Sequence, residues 1–212
     1  MKITIIYDNE SRVDKLRADW GFSCLIEHDG VNILFDTGTK GALLLENMKV
    51  LGIDPGSIHE VFISHSHFDH AGGLASFLNE NENVKVYAPG ALRGINPVRE
   101  AVYNEKAGKL RKGFYTTGLL DDIEQSLAIR TAKGLVVVFG CSHPGVGKIL
   151  KAAEKYGKPY ALVGGLHGFD EYEILKPLQL VCPTHCTQHI DEIKSRYPDK
   201  YVPGGAGGII EI

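Results

Sequence analysis

The segment Ser64-His65-Ser66-His67-Phe68-Asp69-His70 constrains the fold more than any other part of the chain. Four potential metal ligands follow directly after an apolar run, residues 61–64, that predicts a buried strand. In an extended His-x-His segment both imidazoles project from the same side of the backbone, so His65 and His67 can reach one ion. Asp69 and His70 follow as the chain turns and can face a neighbouring ion. The segment therefore predicts a metal site.

The ligand types leave the metal open. Neutral imidazole and carboxylate suit several divalent ions, so zinc is expected, with manganese or iron as alternatives. The competing interpretation is a histidine-rich surface loop. The apolar strand before the motif and the pair Gly72-Gly73 after it argue against that interpretation.

The remaining pattern predicts an α/β fold. Each half of the chain begins with strands and continues with interleaved helices, which is typical of two sheets packed face to face with helices outside, a four-layer α/β/β/α sandwich. The predicted strands are residues 2–7, 23–27, 31–35, 61–64, 84–88, 127–131, 134–140, 160–163 and 207–212, and the predicted helices are 39–51, 146–156, 189–197 and one that begins in 73–78. We expect residues 1–212 to form a single domain, or two halves that share a core.

Two local features refine this prediction. Asp29-Gly30 lies between two predicted strands and indicates a hairpin turn. Residues 90–117 have few periodic apolar positions and several glycines, so this segment is expected to be a flexible loop or a lid over a site.

Composition excludes several classes of protein. The net charge of −3 and the absence of a strong basic run argue against a nucleic-acid partner. The densest basic patch, formed by Lys106, Lys109, Arg111 and Lys112, is more typical of a solvated surface than of a phosphate groove. No apolar run reaches the ~20 residues that cross a bilayer, and Asp8 interrupts any signal-like segment at the start. We therefore expect a cytoplasmic protein with a small-molecule substrate, without a membrane partner and with its four cysteines reduced. Nothing in the sequence indicates an oligomeric state.

The His-x-His-x-Asp-His spacing resembles the signature of the metallo-β-lactamase superfamily. The similarity extends over nearly the whole chain: residues 34–38 resemble the strand-ending D-T-G of the family, and residues 140–145 and 183–187 resemble the segments that supply its further histidine ligands. Within the superfamily, segments at 7–9, 21–27, 124–127 and 164–167 resemble a branch represented by archaeal 7,8-dihydropterin-6-methyl-4-(β-D-ribofuranosyl)aminobenzene-5′-phosphate synthase.

The resemblance implies two divalent metal ions. His65, His67 and His143 would bind one ion, and Asp69, His70 and His185 the other. Cys186, next to His185, is a rival ligand. Asp36 is either a carboxylate that supports a histidine ligand or a plain turn residue.

The chain departs from the family at one position. Many members supply a bridging aspartate at the end of the strand that here reads Ala161-Leu162-Val163-Gly164-Gly165, and no acidic residue stands there. His167 would then replace it as a ligand, face the substrate as an acid or electrophile, or be a loop histidine without a role. The second ion is expected to bind more weakly without the carboxylate bridge.

A binuclear site predicts hydrolysis of an ester or phosphoester by a metal-activated water, with Asp69 orienting the water and His167 donating a proton to the leaving group. The resemblance to the synthase branch implies an alternative, a condensation that joins a pterin to an arylamine. The net charge argues against nuclease activity on a polyanion. An oxygen-reducing diiron site is disfavoured because His67 stands where that branch of the superfamily has a glutamate. The last alternative is a non-catalytic metal-binding or sensor protein.

Overall fold

The computed structural model describes all 212 residues, Met1–Ile212. Its strands are β1 Lys2–Tyr7, β2 Ser23–His28, β3 Val31–Phe35, β4 Glu60–Phe62, β5 Lys85–Ala88, β6 Glu100–Tyr103, β7 Lys106–Arg111, β8 Phe114–Gly118, β9 Leu127–Arg130, β10 Leu135–Val138, β11 Pro159–Gly165, β12 Leu180–Thr184 and β13 Ile209–Glu211. Its α-helices are α1 Gly41–Val50, α2 Phe68–Ala71, α3 Leu74–Glu80, α4 Val146–Ala153 and α5 Ile190–Arg196. Short 3-10 helices lie at Pro55–Ser57, Gly90–Leu92, Glu154–Tyr156 and Tyr172–Leu175.

The chain divides into two compact units. The first consists of residues 1–104 together with 204–212, and the second of residues 105–203. Each unit has a mixed sheet with helices, which confirms the predicted α/β class. The expectation of one domain over residues 1–212 stays a prediction.

The first unit contains a seven-stranded sheet in the order β13-β1-β2-β3-β4-β5-β6. Strands β3, β4, β5 and β6 are parallel, so their carboxyl ends share one edge of the sheet. Helices α1 and α3 cover the sheet with apolar side chains such as Leu44, Met48 and Phe77, which pack against strand residues that include Val61 and Val86. The predicted hairpin is present, with Asp29 and Gly30 at positive φ in its turn.

The second unit contains a six-stranded sheet in the order β12-β11-β10-β9-β8-β7. Strands β10, β11 and β12 are parallel, whereas β7 to β10 pair as antiparallel neighbours. The uninterrupted apolar run of β10 is buried on both faces, as its composition predicts. Its side chain Val137 packs with Ile149 of α4 and Ile193 of α5 in one core.

The prediction of a flexible loop over residues 90–117 was wrong, and the alternative of a lid over a site stays a prediction. This segment contains strands β6 and β7 and most of β8. Its apolar periodicity is weak because β6 and β7 are largely solvent-accessible, so they need few apolar side chains. The basic residues Lys106, Lys109 and Arg111 lie on β7, at the edge of the second sheet, where charged side chains discourage pairing with another strand.

Two further short elements were not predicted, helix α2 and strand β12. The helix lies within the histidine motif, and the strand leads directly to His185. None of the helices is long and apolar enough to cross a membrane.

Candidate metal centre

The histidine motif lies at the carboxyl edge of the first sheet. Strand β4 ends at Phe62, and the chain continues through His65 and His67 into α2, which carries His70. His65 and His70 are fully buried, Asp69 is partly buried and His67 is exposed. The ligand atoms of His65 and His67 lie within 4.8 Å of each other, and so do those of Asp69 and His70.

The buried carboxylate of Asp36 holds this motif in place. Asp36 follows β3, which is parallel to β4, so both strands deliver their next residues to the same edge. Asp36 accepts hydrogen bonds from the Ser64 backbone N–H and the Ser64 hydroxyl, each at 2.7 Å. The His70 Nδ1 atom lies 2.7 Å from the Asp36 carboxylate. Asp36 is therefore a supporting carboxylate and not a plain turn residue.

These contacts set the tautomers of two histidines. An ionised Asp36 only accepts hydrogen bonds, so His70 carries its proton on Nδ1 and keeps a lone pair on Nε2. Ser64 has a single hydroxyl proton and donates it to Asp36, so its oxygen accepts from His65 Nδ1 at 2.9 Å. His65 Nε2 thus also keeps a lone pair. In their neutral forms, both imidazoles therefore present Nε2 as a possible metal ligand.

The neighbouring Thr37 and Gly38 complete the support. Thr37 donates from its backbone N–H and its hydroxyl to the carbonyl of His70, at 2.7 and 2.9 Å. Gly38 has φ 63°, and a Cβ atom there would lie 2.6 Å from the Tyr7 ring. Only glycine fits this turn without displacing a buried aromatic ring.

Asp69 is held from another direction. The indole N–H of Trp20, which is the only tryptophan in the chain, donates to Asp69 Oδ2 at 2.9 Å. The Asp69 carbonyl accepts from the Phe22 backbone N–H at 3.1 Å. Side chain and backbone of Asp69 are both oriented.

In the second unit, the remaining predicted histidines follow the three parallel strands. His143 comes after β10, His167 after β11 and His185 after β12. His185 is buried, whereas His143 and His167 are partly buried with ring centroids 4.8 Å apart. The ligand atoms of His185 and Cys141 lie within 4.8 Å of each other.

Glu124 organises the loop that carries His143. Its buried carboxylate accepts backbone N–H bonds from four successive residues, Gly140, Cys141, Ser142 and His143, at 2.8 to 3.3 Å. This arrangement fixes the backbone from which His143 projects. Ser142, His167 and His185 all have positive φ, between 44° and 57°. Such strain in non-glycine residues persists where surrounding contacts enforce it, and it is frequent at functional sites.

The donor set fits divalent metal ions. In the first unit, hydrogen bonds engage Nδ1 of two buried histidines beside a carboxylate, so that Nε2 of each is the nitrogen suited to a metal ion, and imidazoles and thiols collect after the strands of the second unit. Sequence reasoning identified the histidines, but it missed the supporting roles of Ser64, Trp20 and Glu124. Ser64 is adjacent to the motif, and Glu124 lies in a segment that resembles the synthase branch. The positions of both residues in the sequence could therefore have indicated a role near the site.

By fold and donor set this is an α/β protein with candidate metal ligands at the ends of its parallel strands. The profile of the metallo-beta-lactamase superfamily matches residues 21–189. The chain therefore belongs to the metallo-β-lactamase superfamily.

Individual relatives agree with this assignment. The chain is 31% identical over 236 residues to the 7,8-dihydropterin-6-methyl-4-(beta-D-ribofuranosyl)-aminobenzene-5′-phosphate synthase of Methanocaldococcus jannaschii, covering 79% of this chain and 80% of that protein. It superimposes on the structure of Tm1679, described as a metal-dependent hydrolase of the beta-lactamase superfamily, with a TM-score of 0.82, 27% identity and coverage of 100% and 99%. Human tRNase Z, short form, has the same fold at 16% identity, with a TM-score of 0.70 and coverage of 100% and 99%. The predicted fold and the resemblance to the synthase branch are confirmed.

Proposed function

We propose that the protein is a metal-dependent hydrolase that acts on an ester or phosphoester of a small molecule. In this proposal, His65, His67 and His143 bind one divalent ion, and Asp69, His70 and His185 bind a second, as the family resemblance implies. Zinc is the expected metal, with manganese or iron as alternatives. The observation that carries the proposal is the buried Asp36–Ser64 network, which contacts Nδ1 of His65 and of His70, so that Nε2 of each is the nitrogen that would coordinate a metal ion.

Bound divalent ions would lower the pKa of water to about 7 and stabilise negative charge on the attacked group. The chain's own residues orient the reactants. Trp20 holds the carboxylate of Asp69, which makes Asp69 suited to orient the attacking water and to accept its proton. Trp20 is a positioning residue for this step.

His167 is the proposed proton donor to the leaving group. Its backbone is fixed on both sides: the Leu166 N–H donates to the Thr187 hydroxyl at 2.9 Å, and the Gln188 N–H donates to the His167 carbonyl at 2.9 Å. The partly buried ring of His167 lies beside that of His143. A neutral leaving alcohol requires a proton, and a partly exposed imidazole can take a new one from solvent after each turnover.

The first experiment measures metal content by elemental analysis of protein purified without added metal, together with turnover of generic ester and phosphodiester substrates. Two equivalents of metal with turnover would support the binuclear hydrolase. One equivalent or none, with no turnover, would contradict it and would favour a synthase or a non-catalytic metal-binding protein.

Two variants test the residue roles. Asp69→Ala should abolish turnover while circular dichroism shows a native fold; retained activity would refute the role of Asp69. His167→Ala should lower turnover while the two ions bound by the six ligands named above are retained. Unchanged metal content and unchanged activity would remove His167 from the mechanism. Lys151→Ala, on the exposed side of α4, is a control that should leave both measurements unchanged.

A second function is favoured by one observation, the 31% identity to a synthase over four fifths of that protein's length. In that case the same residues would organise a condensation of a dihydropterin pyrophosphate with an arylamine. Supplying both compounds and following the release of pyrophosphate by chromatography distinguishes the two functions. Product from this pair, without turnover of any ester, would replace the hydrolase proposal.

A further inference from the structure

Two thiols and one imidazole converge in the second unit. Cys141, His167 and Cys186 follow the parallel strands β10, β11 and β12, which are neighbours in the sheet. Their ligand atoms all lie within 4.8 Å of one another. None of the three belongs to the six residues proposed above as ligands of the two catalytic ions.

The backbone at each of these positions is fixed. The Cys141 N–H donates to Glu124 at 3.1 Å, and the Gln188 N–H donates to the His167 carbonyl at 2.9 Å. Cys186 lies inside a turn that the Thr187 N–H closes by donating to the Thr184 carbonyl at 3.1 Å. Both thiols are buried, with exposed fractions of 2% and 6%, whereas His167 is partly accessible. An ion could therefore approach from the side of the imidazole and meet two thiols that are already in place.

The Cys186 thiol and the Gly140 carbonyl occupy space that a side chain at Gly165 of β11 would otherwise need. A Cβ atom on Gly165 would lie 2.6 Å from the Cys186 sulfur and 2.8 Å from the Gly140 carbonyl oxygen. No carboxylate can therefore stand at residue 165 unless the thiol moves. The end of β11 is therefore packed against the Cys186 sulfur.

Two cysteines with one histidine are a known zinc ligand set with a fourth position left open. Thiolates also select soft ions, whereas imidazole and carboxylate alone discriminate poorly among divalent metals. Ligand atoms of a tetrahedral zinc site lie roughly 3.5–3.8 Å apart, given bond lengths of about 2.0–2.3 Å. The ligand atoms of Cys141, His167 and Cys186 lie within 4.8 Å of one another, so their separations exceed that spacing by little more than about 1 Å at most.

We propose that Cys141, His167 and Cys186 form a thiolate-rich site for one soft or borderline ion of the zinc and cadmium type. Each bound thiol loses its proton to solvent, so binding releases two protons and places two thiolates and one neutral imidazole around the ion. An ion at this site also occupies the His167 lone pair. That last consequence for catalysis rests on the proposed function, but the binding site itself does not.

The test uses cadmium as the probe. Metal-free protein is titrated with Cd²⁺ while sulfur-to-cadmium charge-transfer absorption is followed in the ultraviolet, a signal that histidine and carboxylate ligands do not produce. The wild type should develop this absorption. Cys141→Ser and Cys186→Ser should each lose about half of it or more, and His167→Ala should weaken cadmium binding roughly tenfold or more.

Cys182→Ala is the matched control, because Cys182 is a fully buried thiol on β12, four residues before Cys186 along the chain and outside the triad. It should keep the full absorption. Circular dichroism of each variant confirms the fold, and Cys186→Ala replaces Cys186→Ser if the serine variant does not fold.

Absence of charge-transfer absorption in the wild type, or the full wild-type absorption in both triad cysteine variants, would overturn the proposal. Loss in Cys141→Ser with full absorption in Cys186→Ser would also overturn it, since sulfur from Cys141 would then act with His185 instead. The measurement does not depend on turnover. A failed hydrolase assay therefore does not contradict the cadmium site, and absence of cadmium binding by the triad does not contradict the hydrolase proposal.

Discussion

Each unit places a buried carboxylate behind its candidate ligands, but the two carboxylates act on different groups. In the first unit, Asp36 contacts an imidazole directly and determines which nitrogen of His70 carries the proton. In the second unit, Glu124 accepts four backbone N–H bonds and shapes the loop before and at His143. The comparison indicates that Asp36 controls the electronic state of ligands, whereas Glu124 controls where a ligand's backbone lies.

The largest expected effect on metal affinity comes from Asp36→Asn. The amide can still accept the Ser64 N–H bond, but its NH₂ group would face His70 Nδ1 and donate to it. His70 would then carry its proton on Nε2, the nitrogen needed for a metal. We expect metal affinity to fall about 10–100-fold, measured by competition with a chromophoric chelator. Thr37→Val is the control, since it removes the hydroxyl bond to the His70 carbonyl and leaves the tautomer unchanged. Equal losses in both variants would show that Asp36 acts only by holding the loop.

Glu124→Gln should affect stability more than affinity. A glutamine oxygen in the place of Oε1 can keep three backbone N–H bonds, but the NH₂ group would face the N–H of His143. One buried donor loses its acceptor, which costs about 1–3 kcal/mol of the free energy of unfolding. Urea denaturation of the metal-free protein measures this loss. A large fall in metal affinity with unchanged stability would contradict the contrast with Asp36.

Gly38→Ala tests whether the first unit also depends on close packing below its ligand loop. The new methyl group would meet the Tyr7 ring at 2.6 Å, and the residue would keep a φ of 63°. We expect a loss of about 2–4 kcal/mol, from the left-handed backbone and from overpacking together. Gly30→Ala is a matched control, because Gly30 has φ 74° with nothing within 4 Å of a Cβ atom. It should lose only the backbone contribution of about 1–2 kcal/mol. Equal losses of unfolding free energy in the two variants would mean that the Tyr7 ring moves aside at little energetic cost.

Local sequence patterns predicted most of the fold because turn conformation and burial depend on residues that are neighbours in the sequence. The hairpin at Asp29-Gly30 needs residues that tolerate positive φ, and the apolar run of β10 needs burial on both faces. Strands β6 and β7 escaped prediction because a strand with accessible faces has no reason to be apolar.

The site residues likewise fall into those that the local sequence predicts and those that depend on contacts between distant segments. The histidine motif is contiguous, so its spacing alone predicts ligands. The role of Glu124 depends on contacts with residues 16 to 19 positions away, and the hydroxyl of Ser64 matters only because Asp36, 28 positions earlier, lies beside it. The convergence of Cys141, His167 and Cys186 likewise follows from strand order, which the sequence does not display.

The smallest expected effect concerns Tyr7, whose ring lies against Gly38 in the first unit. Burial raises the pKa of the Tyr7 phenol above its usual value of 10.0. As the pH rises through 10, the unfolded chain loses this proton before the folded protein does, so the free energy of unfolding falls until the pKa of the folded state is reached. Below pH 10 both states keep the proton and the effect disappears. Tyr7→Phe should therefore show a shallower loss of stability above pH 10, measured by urea denaturation at a series of pH values. The loss should not vanish, because burial also raises the pKa of Tyr87. If the unfolding free energy falls equally steeply with pH in the two proteins, the Tyr7 hydroxyl reaches solvent. The packing of the Tyr7 ring against Gly38 would then be looser than the structure indicates.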